Sequence, residues 1–239
     1  MMNLITRENP KSPVSEAFRT IRTNIQFSSI NNALKTIVFT STTPDEGKST
    51  VVANLALVMA QAGQKVVVLD CDFRNPTQHK LFKLQNKGLS NCVATGKDVF
   101  EIIQNSGTPG LDIITSGPVA PNPSEILASN RMQEVLEQPK EKYDYVLIDT
   151  PPILPVTDAA VMASCVDGVI LLTAWNQISP NLIKEAKNRL EQAGGKILGV
   201  ILNKVEVAAK GYGHGYGYGY GYGYGYYYDY GTENGEKGK

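Results

Sequence analysis

Apolar and polar positions follow two rhythms along this chain. In residues 13–29, Val14, Phe18, Ile21 and Ile25 recur at spacings of three and four, which places them on one helical face, with Ser12 or Ser15 available as a cap. Thr36–Thr40 is instead a short β-branched run, the signature of a buried strand. The polar stretch Ser41–Thr50 holds Pro44 and Gly47 and reads as a loop, and Val51–Ala62 is an apolar helix that stops at Gly63. Further buried strands are predicted at Val66–Leu69, Leu111–Thr115, Tyr145–Ile148, Gly168–Thr173 and Ile197–Leu202. Helical patterns lie at 98–105, 124–137, 157–164 and 179–193. Continuously apolar strands alternating with helices predict an α/β fold, a doubly wound and mostly parallel sheet flanked by helices. In such sheets ligands bind beyond the carboxyl ends of the strands.

The rhythm stops at Ala209. Gly-Tyr repeats follow, and no aliphatic residue occurs after that point. Of the 12 tyrosines, all but Tyr143 and Tyr145 fall between Tyr212 and Tyr230. Alternating glycine is entropically costly to order, so residues 210–239 are expected to be a disordered tail on a domain spanning 1–209. The 239 residues are enough for one domain with a sizeable core. Lys+Arg and Asp+Glu are both 23, which argues against a nucleic-acid partner. Cys71, Cys92 and Cys165 are odd in number and contain no Cys-x-x-Cys pair, so they read as reduced thiols of a cytoplasmic protein. No apolar run reaches the ~18–20 residues of a membrane span, and Met1–Pro10 lacks the apolar core of a signal peptide.

The chemistry-bearing residues cluster at the expected strand ends. The first strand leads through Asp45-Glu46-Gly47-Lys48-Ser49-Thr50 into a helix. Glycine admits close backbone approach, the helix start offers free N–H groups to phosphate, Lys48 suits the β/γ-phosphates and the Ser49 hydroxyl suits magnesium. The loop departs from the usual motif in one place: Thr42 stands where a glycine is expected. The second strand ends in Asp70-Cys71-Asp72-Phe73-Arg74 and the fourth in Asp149-Thr150-Pro151-Pro152. Three carboxylates converging on a phosphate loop suit Mg2+, with one of the pair Asp70 and Asp72 free to accept a proton.

Together these segments resemble the bacterial tyrosine kinases, a group built on a P-loop ATPase fold. Val38 through Thr50 is similar to their Walker A loop, Val66 through Arg74 to their Asp-x-Asp-x-Arg motif, and Tyr145 through Pro152 to their Walker B motif. Pro121 through Leu127 and the tyrosine-rich C-terminus also match the group. The resemblance implies an ATP- and Mg2+-dependent kinase with catalytic Lys48, Asp70, Asp72 and Asp149, where Asp70 is the candidate proton acceptor. Ser49, Asp70, Asp72 and Asp149 would hold the metal, residues 45–50 the phosphates, and Asn203 the adenine. The substrates would be Tyr212, Tyr216, Tyr218, Tyr220, Tyr222, Tyr224, Tyr226, Tyr227, Tyr228 and Tyr230, phosphorylated in trans. Glu16, Arg19 and Arg22 match a motif of an N-terminal oligomerisation helix (residues 1–30). The group's Gram-positive members act at the inner face of the membrane through a transmembrane adaptor resembling polysaccharide co-polymerases, are opposed by a tyrosine phosphatase, and regulate capsular or extracellular polysaccharide synthesis. Three alternatives remain. A partition or division-site ATPase typically has lysine where this chain has Thr43; an iron–sulfur carrier ATPase would want a Cys-x-x-Cys pair; the third is an adhesive tail on an inactive domain.

Overall fold

The structure, a computed structural model, describes residues 4–28 and 34–206. Seven strands, β1 (Thr36–Ser41), β2 (Val66–Asp70), β3 (Gln104–Thr108), β4 (Leu111–Ile114), β5 (Tyr145–Asp149), β6 (Gly168–Ala174) and β7 (Ile197–Asn203), form one sheet. Their spatial order is β3-β4-β2-β5-β1-β6-β7. All neighbours run parallel except β3 and β4. Every residue of β1, β2, β5 and β6 is buried. That is why these strands read as unbroken apolar runs: each face lies under a helical layer.

Side chains alternate between the two layers. Ile37 and Phe39 of β1 pack with α2 (Pro13–Ser28) and α3 (Lys48–Gln61), whereas Val38 faces the cluster of Leu89, Met132, Met162 and Leu190. Those residues come from α5 (Leu89–Thr95), α7 (Asn130–Glu137), α8 (Asp158–Ala163) and α9 (Pro180–Gln192). The short helices α1 (Ile5–Glu8), α4 (Gln78–Leu81) and α6 (Pro123–Leu127) complete the helical layers.

Four expectations change. Residues 98–105 are not helical: a 3-10 turn at Val99–Ile102 leads into β3, which pairs antiparallel with β4. The polar sequence Gln-Asn-Ser-Gly-Thr hides this strand from a hydrophobicity reading, because only Ser106 of its five residues is buried. The 124–137 helix is two helices, since Ser129 breaks the first and caps the second through its hydroxyl and the Met132 N–H. The Walker helix starts at Lys48 rather than Val51. On α2, Phe18 and Ile25 are buried and Ile21 packs against the core, but Val14 is 52 % exposed. The three cysteines are free thiols. The tail, with its ten expected substrate tyrosines, lies outside the described residues.

The topology gathers the motifs. Asp70 and Asp149 end adjacent strands in matched register, and Phe39, two residues before the end of β1, is opposite Asp149. The carboxyl ends of β1, β2 and β5 therefore share one edge.

Candidate active site

The loop after β1 leads into a helix whose positive end is left open. Gly47 sits at φ +88°, and a Cβ there would lie 2.5 Å from Asn203 Nδ2. Only glycine meets both conditions. The first helical hydrogen bond of α3 runs from Val51 N–H to Gly47 O at 3.0 Å. The N–H groups of Lys48, Ser49 and Thr50 thus have no partner within the helix. No side chain caps α3, whereas Ser129 and Ser179 cap α7 and α9. An uncapped N-terminus with its aligned peptide dipoles suits an anionic ligand such as phosphate.

Thr42 stands where the usual motif has glycine, and the backbone explains why it is tolerated. Positive φ occurs at Asp45 and Gly47 but not at Thr42. The loop is held from inside by Glu46, which is 1 % exposed. One carboxylate oxygen accepts from the Thr43 N–H and, at 3.1 Å, from its hydroxyl; the other accepts from Ala174 N–H at 2.8 Å. Asn203 Nδ2 donates to Glu46 O at 2.8 Å, and Lys204 Nζ donates to Asp45 O at 2.7 Å. Glu46 and Asn203 therefore shape the loop, and the Asn203 amide expected at the adenine is engaged with loop backbone.

Lys48 and Asp149 form a buried ion pair, and Lys48 Nζ also lies 3.3 Å from Ser49 Oγ. The other Asp149 oxygen accepts from Gln78 Nε2 at 2.7 Å. Asp70 is fully buried beside Asp149. One of its oxygens accepts from the N–H groups of Thr77 and Gln78 at 3.0 and 2.9 Å, the other from Asp72 N–H at 3.3 Å. Asp72 takes the N–H of Asn75 at 2.9 Å and of Arg74 at 3.3 Å. Arg74 continues outward to the buried Asp158 with two bonds of 2.9 and 3.0 Å, and Ser124 bridges to the same carboxylate at 2.6 Å. The segment from Pro121 to Leu127 is thereby tied to the Asp-x-Asp-x-Arg loop.

Burial, followed by the charge of Asp149, pushes the Asp70 carboxyl up to about 8, against the Gln78 and Thr77 N–H bonds and the charge of Lys48. Burial likewise raises Asp72, and it raises the Cys71 thiol between them, with Asp70 adding to the latter. Three carboxylates facing one lysine leave the site short of positive charge, a deficit that a divalent cation meets.

A cleft of about 460 Å³ opens over these groups, lined by Gly47, Lys48, Ser49, Thr50, Asp72 and Arg74 among others. Asp72 is on its wall, while Asp70 lies behind, its oxygens turned to backbone. Among the described residues no three His, Cys, Asp or Glu side chains converge tightly enough to hold a metal alone. Magnesium takes hard oxygen ligands, commonly one or two carboxylates together with substrate phosphates and water. The donors here, Ser49 Oγ, Asp149 and Asp72, fit that description.

The remaining candidates lie on α2. Arg19 pairs with Glu16 at 2.5 Å and donates to Pro10 O at 2.7 Å, and Arg22 Nη1 donates to Val58 O of α3 at 3.2 Å. None of the three approaches the cleft lining. Gln78 was missed: a lone glutamine after Pro76-Thr77 carries no sequence signal, and only the strand order brings it to Asp149. Among the described residues no helix is long and apolar enough to cross a membrane.

Comparison with known proteins agrees with this geometry. The AAA domain family matches residues 34–193. The tyrosine-protein kinase YwqD of Bacillus subtilis is 42 % identical over 202 residues, covering 84 % of this chain and 85 % of that one. The kinase domain of the Escherichia coli tyrosine kinase ETK superposes with a TM-score of 0.82 at 39 % identity, covering 90 % of this chain and 85 % of that one. The chimerical protein CapA2B2 gives 0.80 at 41 %, covering 84 % and 89 %. The septum site-determining protein MinD of Pyrococcus horikoshii, complexed with Mg-ADP, is more distant at 0.60 and 25 %, covering 70 % and 69 %. The division-site ATPase reading thus yields to the kinase one, and the chain belongs to the bacterial tyrosine-protein kinases built on a P-loop ATPase domain.

Proposed function

We propose that this chain transfers the γ-phosphoryl group of ATP to protein tyrosines, including Tyr212–Tyr230 of its own C-terminal segment in a neighbouring copy. The observation that carries this reading is the buried Lys48–Asp149 pair at the open N-terminus of α3, with Asp72 on the wall of the same cleft. Phosphoryl transfer needs positioning and charge stabilisation more than covalent help. The N–H groups of residues 47–50 and Lys48 hold the β- and γ-phosphates. An arriving phosphate competes with Asp149 for Lys48, which frees that carboxylate for the cation. Ser49, Asp149 and Asp72 would hold Mg2+, which when bound would neutralise the developing phosphate charge.

Asp72 reaches the cleft and orients or accepts the proton of the tyrosine hydroxyl. Asp70 supports it from behind. Tyrosine has a pKa near ~10 and enters protonated, so an acceptor in contact with the hydroxyl is required. Tyr143 and Tyr145 are poor substrates. The Tyr143 hydroxyl donates to Asp112 at 2.8 Å, and Tyr145 is buried at the amino end of β5. The far end of that strand, about 13 Å away, carries Asp149.

The wider role rests on family membership. The kinase self-associates through the α2 face bearing Glu16, Arg19 and Arg22, is activated by a transmembrane adaptor at the membrane, is reversed by a tyrosine phosphatase, and regulates capsular or extracellular polysaccharide synthesis. Domain and tail divide near residue 209. Each phosphate adds ~1.5–2 negative charges at pH 7, so autophosphorylation drives copies apart. Light scattering before and after ATP treatment checks this, and an unchanged mass with labelled tails rejects it. The central test is intact mass after Mg-ATP beside Lys48→Ala. Gains of ~80 Da per phosphate within 212–230, absent from the variant, support the reading. No gain in the presence of an adaptor's cytoplasmic segment overturns it.

A further inference from the structure

The cleft groups do not account for one buried polar side chain that touches all three motifs. Gln78, at the first position of α4, is fully buried. Its backbone N–H is received by Asp70 at 2.9 Å. Its side-chain Nε2 donates to Asp149 Oδ2 at 2.7 Å and to the Ser49 carbonyl at 3.1 Å. Its Oε1 is buried with no partner.

These contacts decide which way the amide faces. Both Nε2 partners are acceptors, so turning the amide over would set oxygen against oxygen at two places. Gln78 thereby fixes one oxygen of Asp149 while Lys48 holds the other. When phosphate draws Lys48 away, Gln78 is the side chain still orienting Asp149. The unpartnered Oε1 leaves one acceptor unfilled, and leaving it so costs free energy unless a donor arrives with the ligand. Water of a hydrated cation is such a donor.

We propose that Gln78 is a positioning residue for the metal, holding Asp149 in register with Ser49 so that magnesium strengthens nucleotide binding. This rests on the reading of Asp149 and Ser49 as the metal-side groups. Residues that orient metal ligands commonly govern metal affinity by 10–100-fold.

The test is titration of the full-length chain with a fluorescent ADP analogue, once with magnesium and once with EDTA. Wild type binds more tightly with magnesium. Gln78→Met, unbranched and of similar length, removes the amide and leaves little cavity. It is expected to lose about 10–100-fold of the affinity in magnesium while binding in EDTA as wild type does. Gln78→Asn draws the amide back by one methylene and must show the same selective loss, which keeps the test open if the methionine variant fails to fold. A magnesium gain retained in the folded variants overturns the proposal. So does a parallel loss in both conditions, the mark of a packing role alone. If wild type itself shows no magnesium gain, the metal-side reading falls and the proposal falls with it.

Discussion

Two ion pairs in this molecule look alike on paper and differ in everything that follows. Lys48 and Asp149 meet at 7 % and 0 % exposure, whereas Arg19 and Glu16 meet on α2 at 30 % and 64 %. In water a pair at contact is worth tenths of a kcal/mol, because solvent screens it and two long side chains must be held still. Buried, the same pairing leaves a costly unpaired charge whenever one member leaves. The comparison teaches where function is stored. The loop region holds charges that only a ligand can rebalance, while the helix face holds charges that water already satisfies.

The strongest way to break this contrast is Lys48→Ala. It is expected to abolish tyrosine labelling, with a loss of at least about 100-fold, as when a donor to developing charge is removed. The nucleotide-free protein should also be destabilised by about 3 kcal/mol, measured by urea unfolding, because Asp149 keeps its burial and loses its partner. A variant as stable as wild type would remove the buried pair from the forces that hold the empty site together.

Glu46→Gln comes next. The carboxylate serves donors on both oxygens, so an amide sets an N–H against either Thr43 or Ala174. A cost of about 1–3 kcal/mol is expected, with weaker nucleotide binding in the same titration. Wild-type affinity in this variant would remove Glu46 from the architecture of the loop.

Asp167 tests an intermediate case away from the site. One oxygen accepts from Lys35 N–H, Thr36 N–H and the Thr36 hydroxyl at 2.9, 2.8 and 2.9 Å. Burial by itself would raise this carboxyl, but the Thr36 and Lys35 N–H bonds outweigh it and hold the group below its usual range. Its stabilisation is therefore present above the unfolded-state value near ~4 and is lost as pH falls through the lower folded value. Asp167→Asn should cost about 1–2 kcal/mol at neutral pH, with the gap to wild type closing on acidification below pH ~4. A gap independent of pH would place the effect in packing.

Arg19→Ala should change least. Loss of an exposed i,i+3 pair is worth a few tenths of a kcal/mol, so the melting curve should overlay wild type. A change in solution mass without a change in melting would assign Arg19 to self-association. A large fall in stability would contradict the surface reading of this pair.

Legibility in the sequence followed burial and periodicity. The four strands buried throughout were read close to their ends, because a two-sided apolar environment writes itself into consecutive residues. β3 was not read, since only Ser106 of its five polar or small residues is buried and no apolar run marks it. Lys48, Ser49 and the three aspartates stood out in the sequence because phosphate and metal chemistry restrict residue type and spacing. Gln78 did not, because an amide that orients a carboxylate needs only reach. Within the motif the resemblance pointed to Asp70 as the proton acceptor, with Asp72 beside it. The structure separates them, turning Asp70 to the backbone of residues 72, 77 and 78 and leaving Asp72 on the cleft.

By itself the sequence determined the layered α/β plan, the phosphate loop, the acidic strand ends and the break into Gly-Tyr repeats. Each depends on local residue type and period. Tertiary structure alone decided which carboxylate faces the cleft, that Glu46 and Asn203 brace the loop through Thr43, Ala174 and the Glu46 carbonyl, and that Gln78 meets Asp149. These outcomes depend on strand order and register, which place β2 beside β5 and β1 between β5 and β6. Contacts between residues 71 positions apart are set by how strands are ordered in the sheet, and no local period encodes that order.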